Sequence, residues 1–270
     1  MIKIDRNKCL KCGKCIRDCV VEVLKPGEDG FPFLAPELER FCLNCQHCLA
    51  ICPAGAVDCN GVTADMCDLP GEMPTPEAML NLLKMRRTVR HFKDENLPEE
   101  VLAALKSSLA WSATGCNDHR LFFYMVEDKE EMKFFREESS KMLKKLVRSG
   151  IMRFIYPNIN RFLAAVEKGE DVIFREAPHM IVAAVPKNAP CKDADPWIAL
   201  SNFDLLCQSY GIGSCWCGFA QHMFRWNRNM KKHLALPKGY KSAGVMLFGM
   251  PDVNYCRATC PPECRFGGQK

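Results

Sequence analysis

Two cysteine motifs decide how the first part of the chain folds: CLKCGKCIRDC at residues 9–19 and CLNCQHCLAICP at residues 42–53. Each carries four cysteines spaced Cys-x2-Cys-x2-Cys-x3-Cys, and the second motif starts 33 residues after the first and ends in Pro53. Three thiolates two residues apart surround one face of a cuboidal metal cluster only if the backbone coils tightly, and the fourth cysteine then points toward a second cluster. The two motifs are therefore an internal repeat of a metal-binding unit.

The spacing predicts two [4Fe-4S] clusters that exchange their fourth ligands. The predicted ligand sets are Cys9, Cys12, Cys15 and Cys52 for one cluster and Cys42, Cys45, Cys48 and Cys19 for the other. Paired zinc sites are the alternative, but zinc ribbons use two Cys-x2-Cys pairs rather than triplets with an x3 step and a following proline. A segment of about 60 residues with a small apolar shell does not fold without metal, so we expect the clusters to be structural as well as functional.

Composition narrows the class of protein. The 270 residues are 48% hydrophobic and 26% charged, which is typical of a folded protein with one large domain or two unequal ones. A net charge of +5 is too small for a nucleic-acid binder, and the sequence has neither an apolar run long enough for a membrane span nor a secretion signal. Eighteen cysteines in a reducing compartment indicate metal binding rather than disulfides. We expect a cytoplasmic protein with no nucleic-acid or membrane partner.

The remaining cysteines do not extend the repeat. Cys59 and Cys67 follow it without its spacing, and small, partly buried thiols at a domain edge are expected there. Five others match no known cluster spacing, and their role stays open: Cys215, Cys217, Cys256, Cys260 and Cys264.

A proline-rich segment separates the cysteine repeat from the rest of the chain. Residues 68–76 carry three prolines and a glycine, which is typical of an extended linker. The apolar spacing beyond it predicts helices at 76–86, 98–111, 128–148, 195–210 and 219–234. Strands are predicted at 121–126, 180–185 and 245–248. This alternation indicates an α/β or α+β domain.

Three polar or glycine-rich segments of that domain suit a flat, phosphorylated ligand. Arg86, Arg87 and Arg90 lie with Thr88 at a helix end, and guanidinium groups pair well with phosphate or with a flavin carbonyl. Residues 111–119 form a loop of small residues, and residues 211–218 are predicted to form a second one with three glycines. Backbone in such loops approaches a ligand closely.

Together these segments resemble the nitroreductase family of flavin enzymes over most of residues 76–262. Residues 1–63 resemble the bacterial two-cluster ferredoxins, with Val20 where a proline is usual. The resemblances imply an α+β fold: a two-cluster ferredoxin-like domain at 1–63, a linker at 64–76, and an FMN-binding nitroreductase-like domain at 77–270. The second domain is expected to have a central, mostly antiparallel sheet flanked by helices.

The nitroreductase resemblance also implies which residues bind FMN. It implies that the FMN phosphate, the ribityl chain and the pyrimidine edge of the ring are bound by Arg86, Arg87, Thr88 and Arg90. The residues implied to reach FMN from a partner subunit are Ser112, Thr114 and Asn117. The backbone amide of Cys217 or Gly218 would face N5 and O4 of the ring, and Arg257 would approach the phosphate. Second-rank pocket residues are Phe154, Tyr156 and Phe162. The chain departs from the family at Ala113, His119 and Met250, and His119 either donates to flavin or substrate or is simply packed.

The function implied is that of a cytoplasmic, anaerobic, homodimeric FMN oxidoreductase. A soluble ferredoxin or a ferredoxin/NAD(P)H reductase would deliver electrons to the clusters, and FMN would reduce nitroaromatics or similar acceptors. One alternative is a reductase of activated alkenes, quinones or carbon–halogen bonds. Another is a non-enzymatic electron carrier for a protein partner. No catalytic acid or base is assigned, because the cofactor performs the chemistry.

Overall fold

The computed structural model describes residues 1–148 and 160–268, without the side chains of 160–163. The chain divides into two compact units, Met1–Met73 with Cys116–Asp118, and Pro74–Gly115 with His119–Lys270. Residues 67–75, within the predicted linker, form neither helix nor strand. Among the described residues, no helix is long and apolar enough to cross a membrane.

The first unit is made of short elements joined by loops. Its strands are β1 (Ile2–Ile4), β2 (Leu24–Pro26), β3 (Pro32–Leu34) and β4 (Val57–Cys59). Its helices are α1 (Lys14–Asp18) and α2 (His47–Ala50), with 3-10 turns at Pro36–Phe41 and Ala64–Met66. β1 pairs with β4 and β2 with β3, both antiparallel. The small core combines aliphatic side chains such as Leu24 and Leu49 with buried cysteines.

The backbone of the first unit repeats as its sequence does. Left-handed residues occur at Lys11, Gly13 and Glu22, and 33 positions later at Asn44, Gln46 and Gly55. A positive φ costs a residue other than glycine about 1 kcal/mol or more, so its recurrence at matching positions has a local cause. In each half, two of these residues turn the chain between successive cysteines of the triplet, and the third follows the fourth cysteine. The tight coiling that the spacing predicts is therefore present in both halves.

The second unit is an antiparallel sheet between two layers of helices. Its strands are β5 (Phe122–Val126), β6 (His179–Pro186), β7 (Gly213–Trp216) and β8 (Tyr240–Gly249), in the order β5-β6-β8-β7. Its helices are α3 (Pro76–Met85), α4 (Glu99–Ser108), α5 (Lys129–Arg148), α6 (Asn160–Lys168), α7 (Asp195–Ser209), α8 (Gly218–Trp226) and α9 (Arg228–His233).

Successive side chains of the central strands pack alternately into two separate hydrophobic cores, one on each face of the sheet. On β6, Met180 and Val182 pack in the core with α5, α8 and α9, whereas Ile181 and Ala183 pack in the core with α4 and α7. All four of these side chains are fully buried. This period of two is the property of a strand covered on both faces. The predicted α+β fold with an antiparallel sheet is confirmed.

Two predictions of local structure were wrong. Residues 213–216, predicted as loop, form the edge strand β7, which pairs with residues 246–249 of β8. That pairing joins distant parts of the chain, so a short, glycine-rich segment gives no local sign of it. The helix predicted over 219–234 is two helices, because Asn227 ends one and caps the next by accepting a hydrogen bond from Met230 N at 3.0 Å.

Candidate cofactor sites

The first unit brings together the four cysteines predicted to hold one cluster. Cys9, Cys12, Cys15 and Cys52 line a single small cavity. Burial raises the pKa of the Cys15 thiol, and the nearby Cys52 and Cys9 raise it further. The cysteine of the second motif thus lies with the first triplet, as an exchange of fourth ligands requires.

In the second triplet, Cys48 is buried, and Cys42 and Cys45 are partly buried. Burial raises the pKa of Cys48 to about 12, and the neighbouring thiols of Cys59, Cys45 and Cys42 add to the shift. A buried thiol of this kind ionises only when a metal takes up its charge. Cys19, the predicted fourth ligand, follows α1, which packs against α2.

The thiols are arranged around spaces rather than around a point. Within the part of the chain that the structure describes, no three His, Cys, Asp or Glu side chains converge closely enough to hold a single ion. Zinc needs four ligands about 2 Å from one centre, whereas a cuboidal cluster takes its thiolates at separate corners. The donor set, all cysteine, fits iron–sulfur clusters.

In the second unit, the arginine segment lies beside the segment 211–218 and the segment that leads to Arg257, at the outer edge of the sheet. Thr88 pairs with Ser214 of β7 in parallel, and Val89 N donates to Ser214 O at 2.8 Å. Asp252 N donates to His91 O at 3.0 Å, which attaches the last segment to the first. A Cβ on Gly213 would lie 2.7 Å from Val89 Cβ, so only glycine permits this approach.

A buried carboxylate fixes the first arginine. Arg86 Nη1 lies 3.5 Å from Asp204 Oδ2, and the Ser214 hydroxyl donates to the other oxygen of the same carboxylate. Asp204 is only 4% exposed, and a buried charge needs such partners. The guanidinium of Arg86 is therefore partly neutralised by the protein, and it joins the arginine segment to α7 and β7.

Arg87 and Ser112 are the residues whose polar atoms best fit an absent ligand. Arg87 Nη1 donates to Arg86 O at 2.6 Å, but Arg87 Nη2 is buried with no hydrogen-bond partner among the described residues. Ser112 Oγ is buried and unpartnered in the same sense. Buried polar groups in folded proteins are almost always paired, so each exception calls for a partner. Both residues were predicted to bind FMN, and these atoms fit its phosphate and polar oxygens.

A further arginine, Arg175, adds positive charge near β7 and was not predicted from the sequence. Burial raises the pKa of the Cys215 thiol, while Arg175 and Arg90 lower it, so both guanidinium groups act on this strand. Arg175 lies in a left-handed turn that Asp171 holds by accepting from Phe174 N at 2.8 Å and from Glu176 N at 3.0 Å. Nothing in the local sequence marks this turn as part of the site.

Of the two amides expected to face the flavin ring, the structure leaves one available. Cys217 N donates to Val245 O at 2.9 Å and is already paired within the sheet. Gly218 is the first residue of α8, where amides lack intrahelical partners, and the space beside its Cα is open. Burial raises the pKa of the Cys217 thiol to about 11, so this side chain stays neutral.

The loop 112–119 contributes to both units. Thr114 Oγ1 accepts from His119 N at 3.0 Å, and Gly115 N donates to the buried Asp195 at 3.0 Å. A cavity of about 570 Å³ opens beside Ser112, Thr114 and His119. Asn117 belongs to the first unit, where its amide donates to the carbonyl oxygens of residues 43 and 44 at 3.1 and 3.2 Å. Ser112 and Thr114 thus line a cavity of the second unit, and Asn117 is counted with the first unit.

The C-terminal segment places the last predicted ligand at the surface. Arg257 is exposed, and two residues before it the Tyr255 hydroxyl donates to Thr88 O at 3.5 Å. Cys256, Cys260 and Cys264 are also exposed, as is Cys67. Cys67 is thus more exposed than predicted, because it follows a 3-10 turn at the end of the unit. The predicted pocket residues Phe154, Tyr156 and Phe162 lie outside the residues whose side chains are described.

Comparison with known proteins agrees with this arrangement. The model of the nitroreductase family matches residues 83–250, and that of the 4Fe-4S dicluster domain matches residues 8–57. The iodotyrosine deiodinase of Thermotoga neapolitana is 28% identical over 140 residues, which cover 50% of this chain and 71% of that protein.

Solved structures share the fold of the second unit. A nitroreductase from Desulfitobacterium hafniense with bound FMN has a TM-score of 0.55 at 23% identity, over 68% of this chain and 94% of that one. An iodotyrosine deiodinase bound to FMN and 3-iodo-L-tyrosine has a TM-score of 0.52 at 20% identity, over 71% and 100%. Because one family model spans more than half of its length and another matches its start, the chain belongs to the nitroreductase family of FMN-dependent oxidoreductases and carries a 4Fe-4S ferredoxin domain.

Proposed function

We propose that the protein is a homodimeric reductase that receives electrons through two [4Fe-4S] clusters in residues 1–63 and passes them to FMN held by residues 77–270. Its substrates would be nitroaromatics or similar electron-poor small molecules. The observation that carries the proposal is the pair of buried, unpartnered atoms, Arg87 Nη2 and Ser112 Oγ. Each costs about 1 to 3 kcal/mol if left unpaired, so a ligand with oxygen acceptors is expected at both.

The residues at the edge of the sheet are suited to orient such a ligand. Bound FMN supplies hydride and single-electron chemistry, and bound clusters supply single electrons. Arg90 and Arg175 provide positive charge near β7, and Arg87 adds an unpartnered guanidinium nitrogen. Such groups favour a phosphate and the polar edge of a ring. The amide of Gly218 supplies a directional donor at the start of a helix, where the macrodipole adds to its field.

Exposed apolar side chains support the proposed homodimer. Helix α3 has no buried residue, and it leaves Met79, Leu80 and Leu83 between 39% and 50% exposed. Large apolar residues grouped on one short helix are typical of an interface. Ser112 and Thr114 are proposed to reach the FMN of the partner subunit. We propose an anaerobic, cytoplasmic setting with a soluble ferredoxin or a ferredoxin/NAD(P)H reductase as donor, because reduced clusters of this type are sensitive to oxygen.

Reduction of a carbon–halogen bond is the second candidate. It is favoured by the likeness to the Thermotoga neapolitana iodotyrosine deiodinase, at 28% identity over half of this chain. The two candidates share the cofactor and differ only in the small molecule placed beside it.

Cofactor retention tests the proposed site. Anaerobically purified wild type is expected to hold FMN, and Arg87→Ala to bind FMN about 10- to 100-fold more weakly, since a charge-assisted hydrogen bond contributes about 1.5 to 3 kcal/mol. The exposed Arg225 gives a matched control, and Arg225→Ala should bind FMN as wild type does. Iron content should be equal in all three proteins. A wild-type protein that never retains FMN, or equal affinity in Arg87→Ala, would refute the assignment.

Re-oxidation kinetics separate the candidate activities. Protein reduced with dithionite and then desalted is mixed with a nitroaromatic compound or with 3-iodo-L-tyrosine. Rapid return of flavin absorbance with the nitro compound supports the first candidate, and rapid return only with the iodo compound supports the second. Slow return with both supports an electron carrier for a protein partner.

A further inference from the structure

The two cysteine motifs differ in the charge that accompanies them. Residues 3–19, which include the first motif, carry six lysines or arginines and two aspartates. The equivalent residues 33 positions later, 36–52, carry one arginine and two glutamates. The left-handed positions of the backbone recur in both halves, so cluster binding itself does not require this difference in charge.

Three of the cations lie around the cavity that the first set of cysteines lines. The Lys11 amide donates to the Cys9 sulfur at 3.4 Å, and Lys14 lines the cavity together with Leu10. Arg17 follows Lys14 by three residues on α1, so these two side chains are neighbours on one helix. Lys11, Lys14 and Arg17 are all exposed, and we call these three residues the basic patch.

Acidic side chains neutralise little of the charge on the basic patch. The Asp29 carboxylate accepts from Arg6, which lies outside the patch, at 2.7 Å. Lys11 Nζ donates at 2.9 Å to the backbone carbonyl of Asp29, which carries no formal charge. Among the described residues, no carboxylate forms an ion pair with a residue of the patch. The patch therefore stays positive at neutral pH.

The first cluster site is also the more accessible of the two. Cys12 is exposed, whereas Cys42 and Cys45 are partly buried and Cys48 is buried. Leu10, which lies between the first two cysteines in sequence, is 68% exposed. Electron-transfer complexes bury little surface, and protein interfaces combine an apolar centre with a polar rim. The loop around the first site offers both features.

We propose that the basic patch is the docking surface for an acidic soluble ferredoxin, and that electrons enter the chain at the first cluster site rather than at the second. The inference rests on the proposed two-cluster function. In the transfer, the reduced partner loses one electron and the iron at the first site gains it, while no bond changes and no proton moves. Opposite charges steer such an encounter and orient the two proteins.

Binding of an oxidised, acidic two-cluster ferredoxin to the anaerobically purified full chain tests the patch without turnover. By isothermal titration calorimetry at low ionic strength, Lys14→Glu/Arg17→Glu should bind about 10-fold more weakly than wild type. The matched control, Lys231→Glu/Lys232→Glu, changes the net charge equally at exposed residues of α9 and should bind as wild type does. Salt of about 0.3 M should weaken binding by wild type far more than by the patch variant.

Cross-linking locates the partner independently. A carbodiimide joins lysine amines to the carboxylates of a bound ferredoxin, and mass spectrometry should find Lys11 or Lys14 in the cross-linked peptides of wild type. The milder variant Lys14→Gln/Arg17→Gln replaces the charge reversal if that reversal lowers the iron content. Each protein compared should hold about eight irons per chain.

Two results would overturn the proposal. In the first, the patch variant and wild type bind the ferredoxin equally at equal iron content. In the second, the cross-links fall only on lysines outside residues 3–19. A wild-type protein whose flavin is never reduced by the reduced ferredoxin would instead count against the proposed function itself. Flavin reduction in wild type, together with equal binding by the patch variant, would reject the patch alone.

Discussion

The two units of this chain reach a stable structure by different means. In the first, three of the seven fully buried core residues are cysteines, Cys15, Cys48 and Cys59, and the strands are three residues long. In the second, aromatic and aliphatic side chains fill both sides of a four-stranded sheet. A small unit buries too little apolar surface to fold alone, whereas the larger unit is expected to fold without its ligand. We therefore expect the iron–sulfur clusters to be required for folding of the first unit, and FMN to bind to a second unit that is already folded.

Removal of iron should produce the largest difference in stability between the two units. We expect anaerobic chelation to unfold residues 1–73 completely, because the buried thiols lose the metal that joins them. The second unit should stay folded. All four tryptophans belong to it, so tryptophan fluorescence should hold its native maximum while far-UV circular dichroism falls in part. Limited proteolysis with mass spectrometry should place the cuts in residues 1–73, and equal resistance of both units would contradict the comparison.

A cavity in the sheet core should destabilise only the second unit. Phe203 is fully buried in α7 and packs edge-on against Phe248, with ring centroids 5.2 Å apart. Phe203→Ala is expected to lower the free energy of unfolding by about 3 to 5 kcal/mol. Urea titration followed by tryptophan fluorescence measures it, and iron content should not change. Phe266→Ala, at a site 73% exposed, is the control and should alter stability little.

Loss of the buried carboxylate of Asp204 should lower both the stability of the second unit and its affinity for FMN. Asp204→Asn removes the charge that faces Arg86 while preserving the side-chain shape. We expect a loss of about 2 to 3 kcal/mol, less than for a fully buried pair because the Arg86 side chain is 35% exposed. FMN affinity should fall as well, since Arg86 is no longer held beside β7. Asp193→Asn, which removes an exposed partner of Lys241, should leave both quantities near wild type.

The smallest expected effect is a dependence of stability on pH through His179. This fully buried side chain accepts from Leu97 N at 2.9 Å, and burial lowers its pKa below 6.5. The unfolded chain then binds the proton more readily, so stability is complete above pH 6.5 and falls as the pH drops toward the folded-state pKa. The slope is at most about 1.4 kcal/mol per pH unit.

His179→Gln isolates this contribution. The variant should be less stable at pH 7.5 but lose less stability on going to pH 5.0, as measured by urea midpoints of the second unit. A wild type and a variant with parallel pH profiles would show that His179 does not titrate in this range.

Most helices and the central strands could be predicted because their patterns are local. Apolar spacing located α4, α5 and α7 within one to three residues, and alternation located β5, β6 and part of β8. β7 could not be predicted, since Gly213 and Ser214 are in a strand only because a distant strand and the arginine segment pair with them. Propensity at such positions is overruled by tertiary pairing.

The candidate sites show the same division. Ligand spacing predicted eight cysteine ligands, four of which line one cavity. A motif predicted Arg87 and Ser112, both of which have unpartnered buried atoms. Arg175 was missed because only a left-handed turn held by Asp171 brings it toward β7. Cys59 is more deeply buried than predicted, because strand pairing, and not the repeat, places it in the core of the first unit. Contacts between residues that are far apart in the sequence produce no local pattern from which they could be predicted.

Stopped-flow spectroscopy under anaerobic conditions tests the central claim most directly. A two-cluster ferredoxin, reduced with dithionite and freed of excess reductant, is mixed with FMN-loaded wild type or with Cys9→Ala/Cys12→Ala/Cys42→Ala/Cys45→Ala, reconstituted with FMN. We predict that flavin absorbance bleaches at least 100-fold faster in wild type, because the proposed function makes the ferredoxin-like unit the entry point for electrons. Equal bleaching rates in two proteins with equal FMN content would contradict the account.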